Sequence, residues 1–438
     1  MIRATILTAL LLVAASAATP AADQRGTAVF AVVMTRHGVR SFTKTPAQYS
    51  WPDWSPVAPG YLSAHGYALV TQLGRYYRAY FSSIGLSMGC GSRGTYVYAD
   101  VDQRTLETGR ALIDGACGSP DALPLYHKAT MGSGMNDPLF DGADWLIPAG
   151  KVDTAASRAA VTAAAPNPPS AIVAQHAADF AAVQSLLDTR CSGTCAPVDA
   201  GPSEITAQAG SLAELRGPLD TGSSYAESLF LEQAQCAPAV DPAKLAQAMK
   251  LHVLAYDVNA RNAYNPLVKG SNIFAHIVGA LEAKAGLPHP DVSVPDTSQA
   301  NLMILSGHDT QLGALGGILD AHWALGNGLV ADDMPPGGAL VFELYRLPSG
   351  EYRVHLHFVY QTLAQFRSAR AMAGGVATSA IRMPGCSSDD CSVPLSRLAT
   401  LAHQLAQRGF VQHDWTSASD APVELAPLGD PNWTHCRS

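Results

Sequence analysis

The chain has 438 residues, of which 47% are hydrophobic and 15% charged, with 38 glycines and 29 prolines. That length suits a large domain carrying an insertion, and the mix excludes disorder, collagen and coiled coil. Twenty-eight basic residues against 36 acidic ones give a formal charge of -8, a poor match for nucleic acid, whose binding rests on Lys/Arg contacts to phosphates.

Arg3 is followed by an apolar run, Ala4 to Ala15, and then by small residues through Ala22. This is the pattern of a secretory signal peptide, with cleavage after Ala17 or Ala22. The run falls short of the ~20 apolar residues of a membrane span, and no later segment reads as a transmembrane helix. An exported chain in the periplasm or outside the cell, free of the membrane after cleavage, is the expectation.

Ala28 to Thr35 is a short apolar run, the mark of a strand buried on both faces. It ends in Arg36-His37-Gly38-Val39-Arg40. From Gly66 to Phe81 the spacing of Leu69, Leu73, Tyr76, Tyr77 and Tyr80 predicts a helix. Thr95 to Ala99 is another strand, and Asp102 reads as the N-cap of the helix carrying Arg104 and Leu106. Between about residues 141 and 270 the chain is Ala-rich with few strand-like runs, and Ala226 to Gln235 and Pro242 to Ala263 read as helices. Asn301 to Leu305 is a strand running into Ser306-Gly307-His308-Asp309, with a helix following near Gln311 to Leu319. Ala339 to Arg346 and Tyr352 to Gln361 form a hairpin around Pro348-Ser349-Gly350.

Strands alternating with helices predict an α/β fold, a central mixed, mostly parallel sheet flanked by helices. The mainly α-helical stretch 141–270 is expected as an inserted domain between two parts of it, 23–140 and 271–438.

Eight cysteines in an exported chain suggest disulfides. Cys191/Cys195 and Cys386/Cys391 read as small loop clips, and Cys90 could pair with Cys117. Cys236 and Cys436 remain and would tie the insertion to the C-terminal end. A zinc site at Cys191 and Cys195 lacks a second Cys/His pair nearby.

The chemistry-bearing residues stand where strands end, which is where open α/β sheets gather their sites. Arg36, His37 and Arg40 follow one strand, Arg104 follows another, and His308 and Asp309 a third. Charge directly after a buried strand costs desolvation unless something compensates it, and an anionic substrate is one such compensator. Three guanidiniums suit a phosphate, whose oxygens their planar forks bind in pairs. An imidazole between two of them can attack phosphorus and form a covalent phosphoenzyme. The leaving alcohol then needs a proton, and Asp309 is the best candidate for general acid. His308 could add a hydrogen bond to the phosphate.

Read singly, each residue has a plainer role: a histidine after a strand as a structural hydrogen bonder, an arginine as a surface charge. There is no G-x-x-x-x-G-K-[ST], G-x-S-x-G or H-E-x-x-H. His355 and His357 share one strand face and could ligate a metal, but the sequence names no further ligand for them. Asn432-Trp433-Thr434 fits a glycosylation sequon.

Taken together, the motifs resemble a family. Arg36-His37-Gly38-Val39-Arg40-Ser41-Phe42-Thr43 resembles the R-H-G-x-R-x-P-T signature of histidine acid phosphatases, and Gly307-His308-Asp309-Thr310 its H-D element. Ala99-Asp100-Val101-Asp102-Gln103-Arg104-Thr105 resembles the segment carrying the family's third phosphate arginine. Pro335-Pro336-Gly337-Gly338 and Tyr360-Gln361-Thr362-Leu363 are similar to the C-terminal half of bacterial periplasmic phytases. The resemblance runs from about residue 28 to 395.

It implies an acid phosphomonoesterase, phytase-like, with His37 as phosphorylated nucleophile and Asp309 as proton donor. Arg36, Arg40, Arg104 and His308 would hold the phosphate. Thr43, Lys44 and Glu227 match substrate-facing positions. No cofactor, metal or macromolecular partner is implied: the expected partner is a small-molecule phosphate monoester, and the chain is expected to be a monomer. Phe42 stands where the signature has Pro, and Gln311 where Asn often follows H-D-T. Glucose-1-phosphatases and broad acid phosphatases remain rivals on substrate, as do a phosphomutase and a non-catalytic phosphate-ester binder.

Overall fold

The computed structural model describes residues 26–43, 48–90, 94–128, 137–368, 372, 375–386, 391–415 and 418–419. The leader 1–22, Lys44, Cys436 and the Asn432 sequon lie outside the described residues.

The first part holds β1 (Thr27–Arg36), α1 (Ala64–Ser83), β2 (Thr95–Ala99), α2 (Gln103–Cys117) and β3 (Leu125–Lys128). The middle is largely helical: α3 (Ala143–Leu146), α4 (Thr154–Ala164), α5 (Ala171–Gln175) and α6 (Ala177–Leu187). The short pair β4 (Glu204–Thr206) and β5 (Glu214–Arg216) comes next, followed by α7 (Pro218–Ala234), α8 (Pro242–Asn259) and α9 (Asn265–Ala285). The last part resumes with β6 (Leu302–Gly307), α10 (Asp309–Leu319), β7 (His322–Trp323), β8 (Ala339–Arg346) and β9 (Tyr352–Tyr360). It ends with α11 (Leu363–Arg367), β10 (Ala377–Arg382), β11 (Ser392–Pro394), α12 (Leu395–Gln407) and β12 (Ala418–Ser419).

The large sheet is mixed, in the order β12-β3-β2-β6-β1-β8-β9-β10-β7, with β11 also pairing β9. Its heart, β3-β2-β6-β1, is parallel, and antiparallel strands extend it from β8 onward. Among the described residues, 137 to 301 add no strand to this sheet. Helix α9 begins before residue 270 and runs past it, so the expected boundary there falls inside one helix.

The apolar run of β1 explains the layering. Phe30, Val32 and Met34 point into one core with Phe274 and Ile277 of α9 and Leu312 of α10. Ala31 and Val33 point into a second core with Leu73, Tyr77 and Phe81 of α1 and Leu112 of α2. Side chains alternate across a strand, so a strand covered on both faces must be apolar at every position.

Disulfides join Cys90–Cys117, Cys191–Cys195 and Cys386–Cys391, as the spacing suggested. Among the described residues, no helix is long and apolar enough to cross a membrane.

Helix α1 starts at Ser63, whose hydroxyl accepts from the Gly66 N–H at 2.9 Å. Gly66 then lies against the loop leaving β1: a Cβ there would stand 2.1 Å from the carbonyl oxygen of Val39. Gly66→Ala is therefore expected to destabilise the fold by ~1–3 kcal/mol, the usual cost of overpacking. The readout is a lowered urea midpoint, and an unchanged midpoint would contradict this packing.

Candidate active site

Three parallel strands end side by side. Register pairs Arg36 with Gly307 and Ala99 with Ser306, so the residues leaving β1, β2 and β6 enter one crevice. The Asp100 N–H donates to Ser306 O at 3.0 Å, and the His37 N–H to Gly307 O at 2.8 Å. From the far side the Pro335–Gly338 turn closes on β1: Gly337 N–H donates to His37 O at 2.9 Å, and Arg36 N–H to Gly338 O at 2.8 Å. Gly337 has φ +72°, which suits glycine.

His37 is buried, at 2% exposure. Its Nδ1 lies 2.8 Å from the carbonyl oxygen of Gly38. That contact is a hydrogen bond when Nδ1 carries the proton, which leaves Nε2 as the bare nitrogen. The Gly38 N–H in turn donates to Thr108 Oγ1 at 2.9 Å. Burial, then Arg104, Arg36, Arg40 and His308, push the imidazole well below its usual titration range. Both effects favour the uncharged imidazole.

The guanidiniums converge from two strand ends. Arg36 is 2% exposed; it donates to Met334 O and ion-pairs with Glu227 and, at 2.8 Å, with Asp309. Arg40 pairs with the same Glu227 oxygen at 3.1 Å. Arg104 pairs with Asp102 at 2.7 Å, and its Nη2 lies 3.3 Å from Nδ1 of His308. The Nε atoms of Arg36, Arg40 and Arg104 are buried and make no hydrogen bond. An orphaned buried donor is costly, and three such donors around one imidazole are the signature of a site built for an anion's oxygens.

His308 sits edge-on to His37, ring centroids 5.5 Å apart. Its Nε2 lies 3.0 Å from Asp100 and 3.3 Å from Asp102. Both ring nitrogens are thus engaged, and His308 links Arg104 to the carboxylates of the β2 end. Asp309 opens α10, two positions earlier than the helix expected near Gln311. Burial would push its carboxyl up, but Arg36, His252, a hydrogen bond from Tyr256 and Arg40 outweigh that and hold it well below the ordinary range.

The nucleophile, the acid and the phosphate-side residues expected from sequence therefore share one crevice, with two exceptions. Thr43 is exposed at its edge, its methyl bordering Gly60 beside Arg104. Lys44 lies outside the described residues. Glu227, read as substrate-side, is the counter-ion of two of the arginines. Burial favours its neutral form, but Arg40, Arg36 and His252 hold its carboxyl below the usual range.

Several residues escaped the sequence reading. Asp102 does flank α2 as N-cap residue, but its side chain makes no capping bond and turns to Arg104 and His308 instead. Asp100, 1% exposed, anchors His308. Behind Asp309 stand Tyr256 and His252, one turn apart on α8, and Asp333 before the Pro335 turn. All three are buried or largely so, and Nε2 of His252 and Oδ2 of Asp333 have no hydrogen-bond partner. Tyr256 fits because α10 carries Gly313 beneath it, where a Cβ would meet the ring at 2.8 Å. A His and a Tyr four apart on a helix were the signal available.

No protein-family model matches the chain. It is 30% identical over 369 residues to Phytase AppA of Escherichia coli (strain K12), a match covering 77% of this chain and 81% of that one. The structure is similar to that of Hafnia alvei phytase in complex with myo-inositol hexakis sulphate, with TM-score 0.76, 29% identity, and 88% of this chain and 98% of that one covered. It is also similar to the phytase from Citrobacter braakii, with TM-score 0.72, 25% identity, and 88% and 99% covered. With this relationship and a crevice that gathers the signature residues, the chain belongs to the histidine acid phosphatase family and is a phosphatase close to the phytases.

Proposed function

We propose that the protein hydrolyses phosphate monoesters, inositol hexakisphosphate foremost, through a phosphohistidine at His37. The observation that carries this reading is the buried His37, its Nδ1 2.8 Å from Gly38 O and its ring set among three arginines with unsatisfied Nε donors.

In the first step Nε2 of His37 attacks phosphorus and the bond from phosphorus to the ester oxygen breaks. The departing alkoxide takes the proton of Asp309. In the second, Asp309 as carboxylate removes a proton from water, the water oxygen bonds to phosphorus, and His37 is released with inorganic phosphate. The arginines stabilise charge on the equatorial oxygens throughout. As the phosphate enters it competes with Glu227 and Asp309 for Arg36. Its charge raises the proton affinity of Asp309 while the loss of Arg36 as partner removes the force that kept it ionised. His37 stays neutral in acid and Asp309 needs a proton, so activity is greatest in acid and fades toward neutrality.

A polyanionic substrate fits the cationic crevice, and the relative from Hafnia alvei has been seen with a hexasulfated inositol. The helices 141–270 act here as a covering unit that lends Glu227, His252 and Tyr256 to the crevice. Disulfides at Cys90–Cys117, Cys191–Cys195 and Cys386–Cys391 support an oxidising compartment, the periplasm or the exterior.

Initial rates should be compared on inositol hexakisphosphate, glucose 1-phosphate and p-nitrophenyl phosphate, for the wild type and Asp309→Asn. The wild type is expected to show its highest kcat/KM on the inositol ester. The variant is expected to lose ~10²–10⁴-fold on the two alkyl esters and far less on the aryl ester, whose leaving group needs no proton. Equal losses on all three would remove Asp309 from the role of acid, and a preference for glucose 1-phosphate would replace the substrate.

Tyr256→Phe tests the pH dependence. The phenol donates to the ionised form of Asp309, and a hydrogen bond to a charged group is worth ~1.5–3 kcal/mol. Removing it favours the protonated acid, so the alkaline limb of the kcat profile is expected to move to higher pH. A limb that stays put or moves down would contradict the assignment.

A further inference from the structure

A second cluster of ionisable groups lies away from the crevice, on the face of the sheet covered by α1. Glu343 of β8 is directly opposite His355 of β9, and His357 follows two residues on, so the three side chains share one face. Glu343 is fully buried, and His355 and His357 are 8% and 6% exposed. Along the neighbouring β1, Glu343 is level with Ala31, five residues short of Arg36, roughly 16 Å at ~3.3 Å per residue.

We propose that Glu343, His355 and His357 form a binding site for a divalent transition-metal ion of the zinc class, separate from the phosphate crevice. One ligand atom from each residue can be chosen so that all lie within 4.8 Å of one another. Oε2 of Glu343 lies 3.1 Å from Nδ1 of His355, and Oε1 lies 3.8 Å from Nδ1 of His357. Ligands at ~2.0–2.2 Å from a tetrahedral ion stand about 3.4 Å apart, and these two spacings, each to a different oxygen of the carboxylate, lie on either side of that value. The 3.8 Å separation is too long for a hydrogen bond, yet one shared ion would draw both imidazoles to the carboxylate.

The donor set selects the metal. Two imidazoles and one carboxylate suit zinc, copper or nickel, whereas calcium and magnesium take six or more oxygens. The carboxylate is already oriented: Tyr80 donates to Oε1 at 2.6 Å and Tyr345 to Oε2 at 3.2 Å, the outer hydrogen bonds that fix a metal-binding carboxylate. The hydrogen bond now possible between His355 and Glu343 gives way when its proton moves to Nε2 and Nδ1 offers its lone pair. Such an ion would pin β8, β9 and, through Tyr80, α1 to one another, a structural role with no part in the hydrolytic step.

The test uses the full mature chain without a histidine tag, in phosphate-free buffer, with zinc chloride as the probe in isothermal titration calorimetry. One ion per chain is expected for the wild type and for His37→Ala, whose crevice is altered. The double variant His355→Gln/His357→Ser is expected to lose at least ~100-fold in affinity while keeping wild-type rates on p-nitrophenyl phosphate, which shows it folded. Absence of saturable binding in the wild type, or equal binding by the double variant, would overturn the proposal. Should the double variant not fold, the visible spectrum of the wild type with cobalt(II) decides. The intense bands of a tetrahedral nitrogen- and oxygen-ligated ion are expected, and the weak bands of a hydrated octahedral ion would refute the site.

Discussion

Holding three guanidiniums inside a protein beside one imidazole is the constraint on which this structure turns. Buried positive charges are tolerated only when paired and hydrogen-bonded. Here the pairing is partial. Glu227 and Asp309 answer Arg36, Glu227 also answers Arg40, and Asp102 answers Arg104, yet an Nε on each arginine goes unsatisfied. Burial, and then the same charges, favour the neutral form of His37, whereas a free imidazole in acid would be protonated and useless as a nucleophile. One arrangement thus provides both the pull on an anion and the attacking nitrogen.

The sheet makes that arrangement possible. Parallel pairing of β1 with β6 and of β6 with β2 delivers residues from distant stretches of chain to a single edge, in fixed register. The two cores on either side of β1 hold its backbone still, so the residues that leave the strand inherit its position. Backbone hydrogen bonds from His37 to Gly307 and from Gly337 to His37 then fix the peptide on both sides of the imidazole.

Much of this was legible in the sequence because the information is local. The apolar runs of β1, β2 and β6 mark buried strands without ambiguity, and charged residues at their ends mark a crevice. The cysteine spacing carried the three observed disulfides for the same reason. What was not legible is tertiary. Asp102 occupies an N-cap position, but its carboxylate finds stronger partners in Arg104 and His308 across the crevice. Tyr256 and His252 look like ordinary helix residues until α8 packs on α10 and brings them behind Asp309. His355 and His357 announced a shared strand face, but their carboxylate partner, Glu343, lies on the neighbouring strand across the hairpin, where only the register of β8 and β9 identifies it.

The central claim is that phosphorus bonds to His37 during turnover. The direct measurement is to mix enzyme with a phosphate monoester, quench in alkali, where phosphohistidine survives, and determine by mass spectrometry which peptide carries the phosphoryl group. The account predicts a phosphoryl group on His37, absent from His37→Ala, which should also fail to hydrolyse the ester. Turnover by His37→Ala at the wild-type rate, or a phosphoryl group on another residue, would contradict it.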